Sequence, residues 1–157
     1  MHNEHYYTVE IQWTGNSGDG THSYESYQRS HTISKSGAED IHATADPAFR
    51  GDKQKFNPEE LFIASLSGCH MLWYLHLCSD HGIVVNSYAD APVGIMIVKE
   101  DGSGKIEKVT LRPKVCIQLS EQKNLAVLLH QVSHQKCFIA NSINCPIDIE
   151  PSIYTEE

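Results

Sequence analysis

Apolar and polar positions alternate along residues 6–13 (YYTVEIQW), a stretch rich in β-formers, and this period of two predicts a strand with one buried face. TGNSGDGTHS follows as a turn or longer loop, and YESYQRSHTIS resumes a weaker alternation that predicts a second strand. The next segment, AEDIHATADPAFRGDKQK, has few apolar anchors, a proline and two charged clusters. It reads as an exposed loop leading to a helix, long enough to carry function of its own.

The pattern changes at Asn57. Asn57 reads as an N-cap, Pro58 fills the first helical position, and Glu59 and Glu60 face the positive end of the helix dipole. Leu61, Phe62, Leu66, Cys69, Leu72, Trp73 and Leu75 follow at mixed helical spacings, too apolar all round for a surface helix. His81-Gly82 supplies the last turn and a C′ glycine. The prediction is one long central helix.

Beyond it, IVVNSYADAPVGIMIVKEDGSGKIEKVTLRPKVCIQL predicts three strands, with DGSG as a hairpin turn. SEQKNLAVLLHQVSHQK returns to helical spacing, with Ser120 as N-cap and Leu125, Leu128, Leu129 and Val132 on one face. CPIDIEP predicts a last short strand. Strands and helices in this order indicate an α+β fold with segregated layers, in a single domain spanning residues 1–157.

Charge narrows the partners. The formal net charge is −8 with ten neutral histidines, which argues against nucleic acid or an anionic membrane as the main partner. His70, His76 and Ser67 interrupt the longest apolar stretch, so no membrane span is expected. The N-terminal residues lack a basic start, an apolar run and a cleavage site, so a cytoplasmic location is expected. Five cysteines, Cys69, Cys78, Cys116, Cys137 and Cys145, are odd in number and irregular in spacing, which fits reduced thiols better than a disulfide framework.

At about 100° per residue, the nine positions between Cys69 and Cys78 place them on opposite helix faces, so they cannot line one pocket. Free cysteine is among the most buried residue types, so either reads first as a small hydrophobe. Cys69 differs in following Ser67-Gly68, whose small side chains leave room for a ligand or a second backbone. Cys116 alternates with Val115 and Ile117 as a core position. Cys137 stands where the second helix ends, a place from which a partner thiol reaches the first helix, and Cys145 before Pro146 has no special surroundings.

NPEELFIASLSGCHMLWYL and HQKCFIANS resemble the first- and second-cysteine segments of the osmotically inducible protein C and organic hydroperoxide resistance (OsmC/Ohr) family. The resemblance implies antiparallel sheets around two central helices, an intertwined homodimer with sites at the subunit interface, and a thiol peroxidase that needs no cofactor. It implies Cys69 as the peroxidatic cysteine and Cys137 as the resolving one. The substrate implied is an organic hydroperoxide, with hydrogen peroxide slower, and a dithiol reductant restores the thiols.

The same family uses a glutamate and an arginine. Glu59 matches the glutamate, and ten helical residues span about 15 Å, so Glu59 reaches Cys69 only across an interface or through an intermediary such as an arginine. Arg29, in YQRSH, is favoured for that part, with Arg50 in PAFRGD second; Arg112 before Pro113 reads as structural. Phe138 stands where many relatives carry proline, and the loops at 14–24 and 43–56 exceed the compact forms.

Two other readings stay open. His130 and His134, spaced HxxxH, place two imidazoles on one helix face with Cys137 nearby, a partial metal-ligand set without the glutamate of HExxH. A non-catalytic family member that binds small molecules or metal on the same fold is the second. His70 reads as a packed polar neighbour of Cys69. Trp73, Tyr74 and Phe62 read as core or dimer packing, some of them as a sleeve for an alkyl peroxide. DGSGK lacks the spacing of a phosphate loop.

Overall fold

A computed structural model describes residues 3–156. It divides into two compact units, one ending at Leu61 and the other beginning at Phe62.

In the first unit, β1 (Glu10–Trp13), β2 (His31–Ser34) and β3 (Ile41–Ala43) form an antiparallel sheet in that order, with Ile11, Ile33 and Ile41 in register. The predicted alternation at 6–13 becomes a strand only over its second half, and YESYQRSHTIS only over its last four residues. The chain between them is a long loop whose base is closed by Trp13 Nε1 donating to the Gln28 carbonyl at 2.9 Å and Gln28 N to the Gly15 carbonyl at 2.8 Å. A Cβ at Gly15 would lie 1.9 Å from the Gln28 oxygen, so this closure requires glycine.

The segment read as a plain loop before the helix contains β3 and a 3₁₀ turn, Pro47–Phe49, in which the Asp46 side chain accepts from Ala48 N. A three-residue strand offers too few positions to show a period. Pairing with β2, not its own sequence, fixes it.

The helix α1 (Pro58–Asp80) begins as expected. Asn57 Oδ1 accepts from Glu60 N at 2.8 Å and Glu60 Oε2 accepts from Asn57 N at 3.1 Å, a reciprocal capping box. Glu60 is thereby occupied, while Glu59 is left outside the cap. At the other end Gly82 takes φ +69°, with Ile83 N donating to the Cys78 carbonyl at 2.8 Å and Gly82 N to Ser79 at 3.1 Å, a Schellman closure.

Four strands, not three, follow α1: β4 (Val85–Ala89), β5 (Val93–Val98), β6 (Gly104–Leu111) and β7 (Lys114–Ile117). The predicted hairpin turn joins β5 to β6. The last segment also gives two strands, β8 (Ile147–Ile149) and β9 (Ser152–Tyr154). They assemble as two sheets, β4-β7-β9 and β5-β6-β8. The chain passes directly between the sheets three times, at Asp90–Pro92, at Arg112-Pro113 and at Glu150-Pro151, where proline, lacking an N–H, interrupts the ladder, and a fourth time, from β7 to β8, by way of the second helix. Arg112, read as structural, pairs there with Glu150 at 3.2 Å and gives its N–H to Asp90 at 2.7 Å. β8 and β9 run parallel to β6 and β7, so both sheets are mixed where antiparallel ones were expected.

The second helix, α2 (Lys123–Lys136), starts two residues later than predicted, because Ser120–Gln122 form a 3₁₀ turn and Ser120 does not cap it. Its buried stripe is Ala126, Leu129, His130 and Ser133, the i, i+3, i+4, i+7 positions. Leu125 and Leu128, expected inward, are exposed.

α1 serves two cores, which explains its all-round apolar character. Tyr74, Leu77 and Cys78 pack with Ile83, Val115, Ile117, Ala126 and Leu129. Leu66, with Phe62, Cys69 and Trp73 beside it, packs with Val109, Leu111 and Cys137. By length and composition α1 is apolar enough to cross a membrane, contrary to the sequence expectation. Leu66, Leu77, Phe62, Trp73 and Tyr74 are spent on these two clusters, while Leu72 is exposed.

Candidate active site

Positions 62, 66, 69 and 73 recur at helical spacing, so the Cys69 side of α1 is walled by Phe62, Leu66 and Trp73. Cys137 ends α2. Its N–H still donates to the Ser133 carbonyl at 2.9 Å, while its own φ and ψ, −66° and 115°, leave the helix and turn the chain toward α1. Cys137 is fully buried, Cys69 only partly, and the two lie in one apolar cluster.

Burial, and then contact with the Cys69 thiol, push the Cys137 thiol up to about 11; the Ala140 N–H, 3.4 Å from Cys137 Sγ, opposes this in part. Cys137 therefore holds its proton at neutral pH, and the more accessible member of the pair is Cys69. A thiol that stays protonated beside a partly exposed one is the arrangement in which the exposed sulfur meets an oxidant first.

The expected opposition of Cys69 and Cys78 holds: each belongs to a different cluster. Cys78 is 1% exposed, and burial pushes its thiol up as well. Cys116 is fully buried in β7. Cys145, which drew no attention in the sequence, packs into the cluster that holds Cys69 and Cys137. The signal was spatial: Val109 N donates to the Pro146 carbonyl at 3.0 Å and draws that segment onto β6.

The aromatic residues divide. Tyr74 faces the other core, whereas Trp73 meets Phe138 edge-on at 5.6 Å and carries Lys136 Nζ 5.4 Å above its ring. Phe138 is thus an exposed aromatic lip beside the second cysteine. On another side of α1, Ser67 donates to Asp90 at 2.6 Å, and a Cβ built on Gly68 meets nothing within 4 Å. The small pair opens a groove of about 350 Å³ there, bordered by Met71 and Pro92.

The arginine candidates belong to the first unit. Arg29 lies with its guanidinium carbon 4.1 Å from the ring centres of both Tyr24 and Tyr27, and its nitrogens donate to the carbonyls of Tyr27 at 2.5 Å and Tyr24 at 2.7 Å. That fork is committed to holding the long loop. Arg50 is exposed, has φ 66° where it ends the 3₁₀ turn, and lies 5.9 Å from the Tyr24 ring. Glu59 is half-buried in the first turn of α1.

The HxxxH pair separates. His130 Nδ1 lies 2.9 Å from His70 Nε2, and both rings are buried, while His134 is partly exposed. His70 is more than a neighbour of Cys69: it is one half of a contact between α1 and α2.

Comparison with known proteins gives the same direction. Residues 51–152 match the family described as OsmC-like protein. An uncharacterised protein of Methanocaldococcus jannaschii is 31% identical over 99 residues, 61% of this chain and 49% of its own length, so the chain spans about half of that relative. An OsmC-like protein of unknown function from Vibrio cholerae superposes with a TM-score of 0.85 at 29% identity, covering 94% of this chain and 99% of that one. An organic hydroperoxide resistance protein from Elizabethkingia anophelis shares the fold, with a TM-score of 0.66 at 18% identity over 98% and 100% of the two chains. With the matching region spanning both cysteine segments and the α+β architecture in common, the chain belongs to the OsmC-like protein family.

Proposed function

We propose that the protein is a thiol-dependent peroxidase that reduces organic hydroperoxides, with hydrogen peroxide as a slower substrate. The observation that carries this reading is the contact of partly accessible Cys69 with buried, protonated Cys137 in an apolar cluster edged by Trp73 and Phe138. The Cys69 thiolate attacks the outer oxygen of the O–O bond. The bond breaks, the alkoxide leaves and takes a proton to become the alcohol, and Cys69 becomes a sulfenic acid. Cys137 then attacks that sulfur; its proton and the hydroxyl depart as water and the Cys69–Cys137 disulfide forms. A dithiol reductant, oxidised in turn to its own disulfide, restores both thiols.

An arginine beside the attacking sulfur favours the thiolate, and a carboxylate orients the arginine. Glu59 is the carboxylate of this reading. Arg29 is the sequence-favoured arginine, but its donors already serve the Tyr24 and Tyr27 carbonyls, so exposed Arg50 has the more available fork. Parallel assays of Arg29→Lys and Arg50→Lys assign the part: the activating arginine is the one whose loss slows Cys69 oxidation.

The working form in this reading is a homodimer in one domain-sized fold, active in the cytoplasm. Exposed Val93, Ile95 and Ile97 along β5, Leu125 and Leu128 on α2, and the bare Gly68 side of α1 are apolar surface that a second copy would cover. Consumption of cumene hydroperoxide by the wild type and by Cys69→Ser, in the presence of a dithiol, tests the activity. Equal rates would overturn it.

A further inference from the structure

The reaction proposed above uses one end of the contact between α1 and α2. The middle of that contact is polar. His70 is 1% and His130 2% exposed, their rings lie 9° from parallel with centres 5.3 Å apart, and Nε2 of the first meets Nδ1 of the second at 2.9 Å. Tyr74 stacks on His130 at 3.9 Å, and buried Ser133 returns its hydroxyl to the Leu129 carbonyl. On one side of this layer lie Leu77, Cys78, Ala126 and Leu129; on the other lie Leu66, Cys69 and Cys137.

Sequence spacing ties the layer to the thiols. His70 adjoins Cys69, and His130 precedes Cys137 by seven residues, so the two project from nearly the same side of α2, within about 20°. Apolar contacts on either side are non-directional and allow one helix to slide on the other. A buried hydrogen bond does not, and fixing register is the best-attested use of such a polar pair. Disulfide formation is demanding in this respect, because the two Cβ atoms must come within about 3.5–4.5 Å.

We propose that His70 and His130 are positioning residues, whose direct bond sets the register of α1 against α2 and so holds Cys69 and Cys137 where their disulfide can close. The inference rests on the reading of Cys69 and Cys137 as a redox pair. Burial keeps both rings neutral, His70 lowered to about 4 with His134 adding to the effect and Asp90 opposing it, and His130 lowered to about 3 with His70 contributing. Two neutral imidazoles supply one donor and one acceptor to the contact. The outer nitrogens, His70 Nδ1 and His130 Nε2, have no hydrogen-bond partner, so the mutual bond is the only one these rings make among the described residues.

Equilibration of the full-length protein with reduced and oxidised glutathione tests this without any peroxide. One glutathione disulfide oxidises the dithiol to the Cys69–Cys137 disulfide and leaves as two thiols, and peptide mapping reads the equilibrium constant. His70→Leu keeps bulk and removes the bond, and His130→Gln moves the polar group off the δ position. Each lowers that constant about tenfold, the factor that the loss of one buried hydrogen bond of about 1.4 kcal/mol represents. His70→Gln and His130→Asn place an amide where Nε2 and Nδ1 stood and retain closure. In a separate reaction with one equivalent of cumene hydroperoxide, loss of the free Cys69 thiol proceeds at the wild-type rate in all four, which a general loss of folding would not allow.

Unchanged closure in His70→Leu and His130→Gln, or equal loss in all four variants, would overturn the inference. If His70→Leu does not fold, the contrast between His130→Gln and His130→Asn decides it. A wild type that forms no Cys69–Cys137 disulfide in glutathione would overturn the redox-pair reading itself, an outcome separate from variants that merely fail to differ.

Discussion

Cys69 and Cys78 sit on one helix, nine residues apart, and their surroundings are opposite. Cys78 is sealed among Leu77, Ile83 and Ile117, with no second thiol in its cluster among the described residues. Cys69 keeps partial access to solvent, faces Cys137, and shares its cluster with Cys145. Burial alone raises a thiol's pKa and makes it inert. The difference teaches that a reactive cysteine in a hydrophobic helix is recognised by what the other elements bring to its face.

The largest effect follows from exchanging the two cysteines' fates. Cys69→Ser brings peroxide consumption to the uncatalysed background, whereas Cys78→Ala leaves turnover intact and lowers the free energy of unfolding by about 1 kcal/mol. Loss of activity in Cys78→Ala with a normal circular dichroism spectrum would erase the distinction. Next, Cys137→Ser leaves the first turnover in place and stops cycling; a single burst of alcohol followed by a stable, dimedone-reactive Cys69 is the expected record. Cys145→Ser, in the same cluster, leaves cycling unchanged, and a stalled cycle would give Cys145 the resolving part.

Packing separates the two ends of α1 more gently. Leu66→Ala opens a cavity next to Cys69 and costs about 2–5 kcal/mol in urea unfolding. Acid acts on the layer between the cores. The folded pKa values of His70 and His130, about 4 and about 3, lie below the unfolded value of 6.5. The unfolded chain therefore binds more protons through that window, and stability falls as pH drops from 6.5 toward 4. Urea midpoints from pH 7 to 4.5 check the sign, and the fall is smaller in the His70→Gln/His130→Asn double variant. Asn57→Ala, which removes one side of the capping box, is the mildest change, at about 1 kcal/mol.

What was legible in the sequence was local. Asn57, Pro58, Glu60 and Gly82 act within a few residues of themselves, so both ends of α1 were readable, as was the DGSG hairpin turn. The opposition of Cys69 and Cys78 follows from helical rotation alone. Non-local contacts stayed hidden. β3 exists because β2 pairs with it, the sheets divide at Pro113 and Pro151, and Leu125 and Leu128 share the sequence signature of core leucines while lying exposed. His70 and His130 meet across 60 residues, and neither's neighbours announce the other. The Arg29 clamp depends on two tyrosines whose mutually perpendicular rings both meet its guanidinium, which no spacing rule specifies.

Intact-mass analysis after one equivalent of cumene hydroperoxide, followed by peptide mapping, tests the central claim most directly. The account predicts loss of two hydrogens from the protein and a single new cross-link between Cys69 and Cys137, with Cys78 and Cys116 recovered as thiols on denaturation. A protein that leaves this treatment with Cys69 still reduced, or with oxygen distributed among several cysteines and no cross-link, would contradict it.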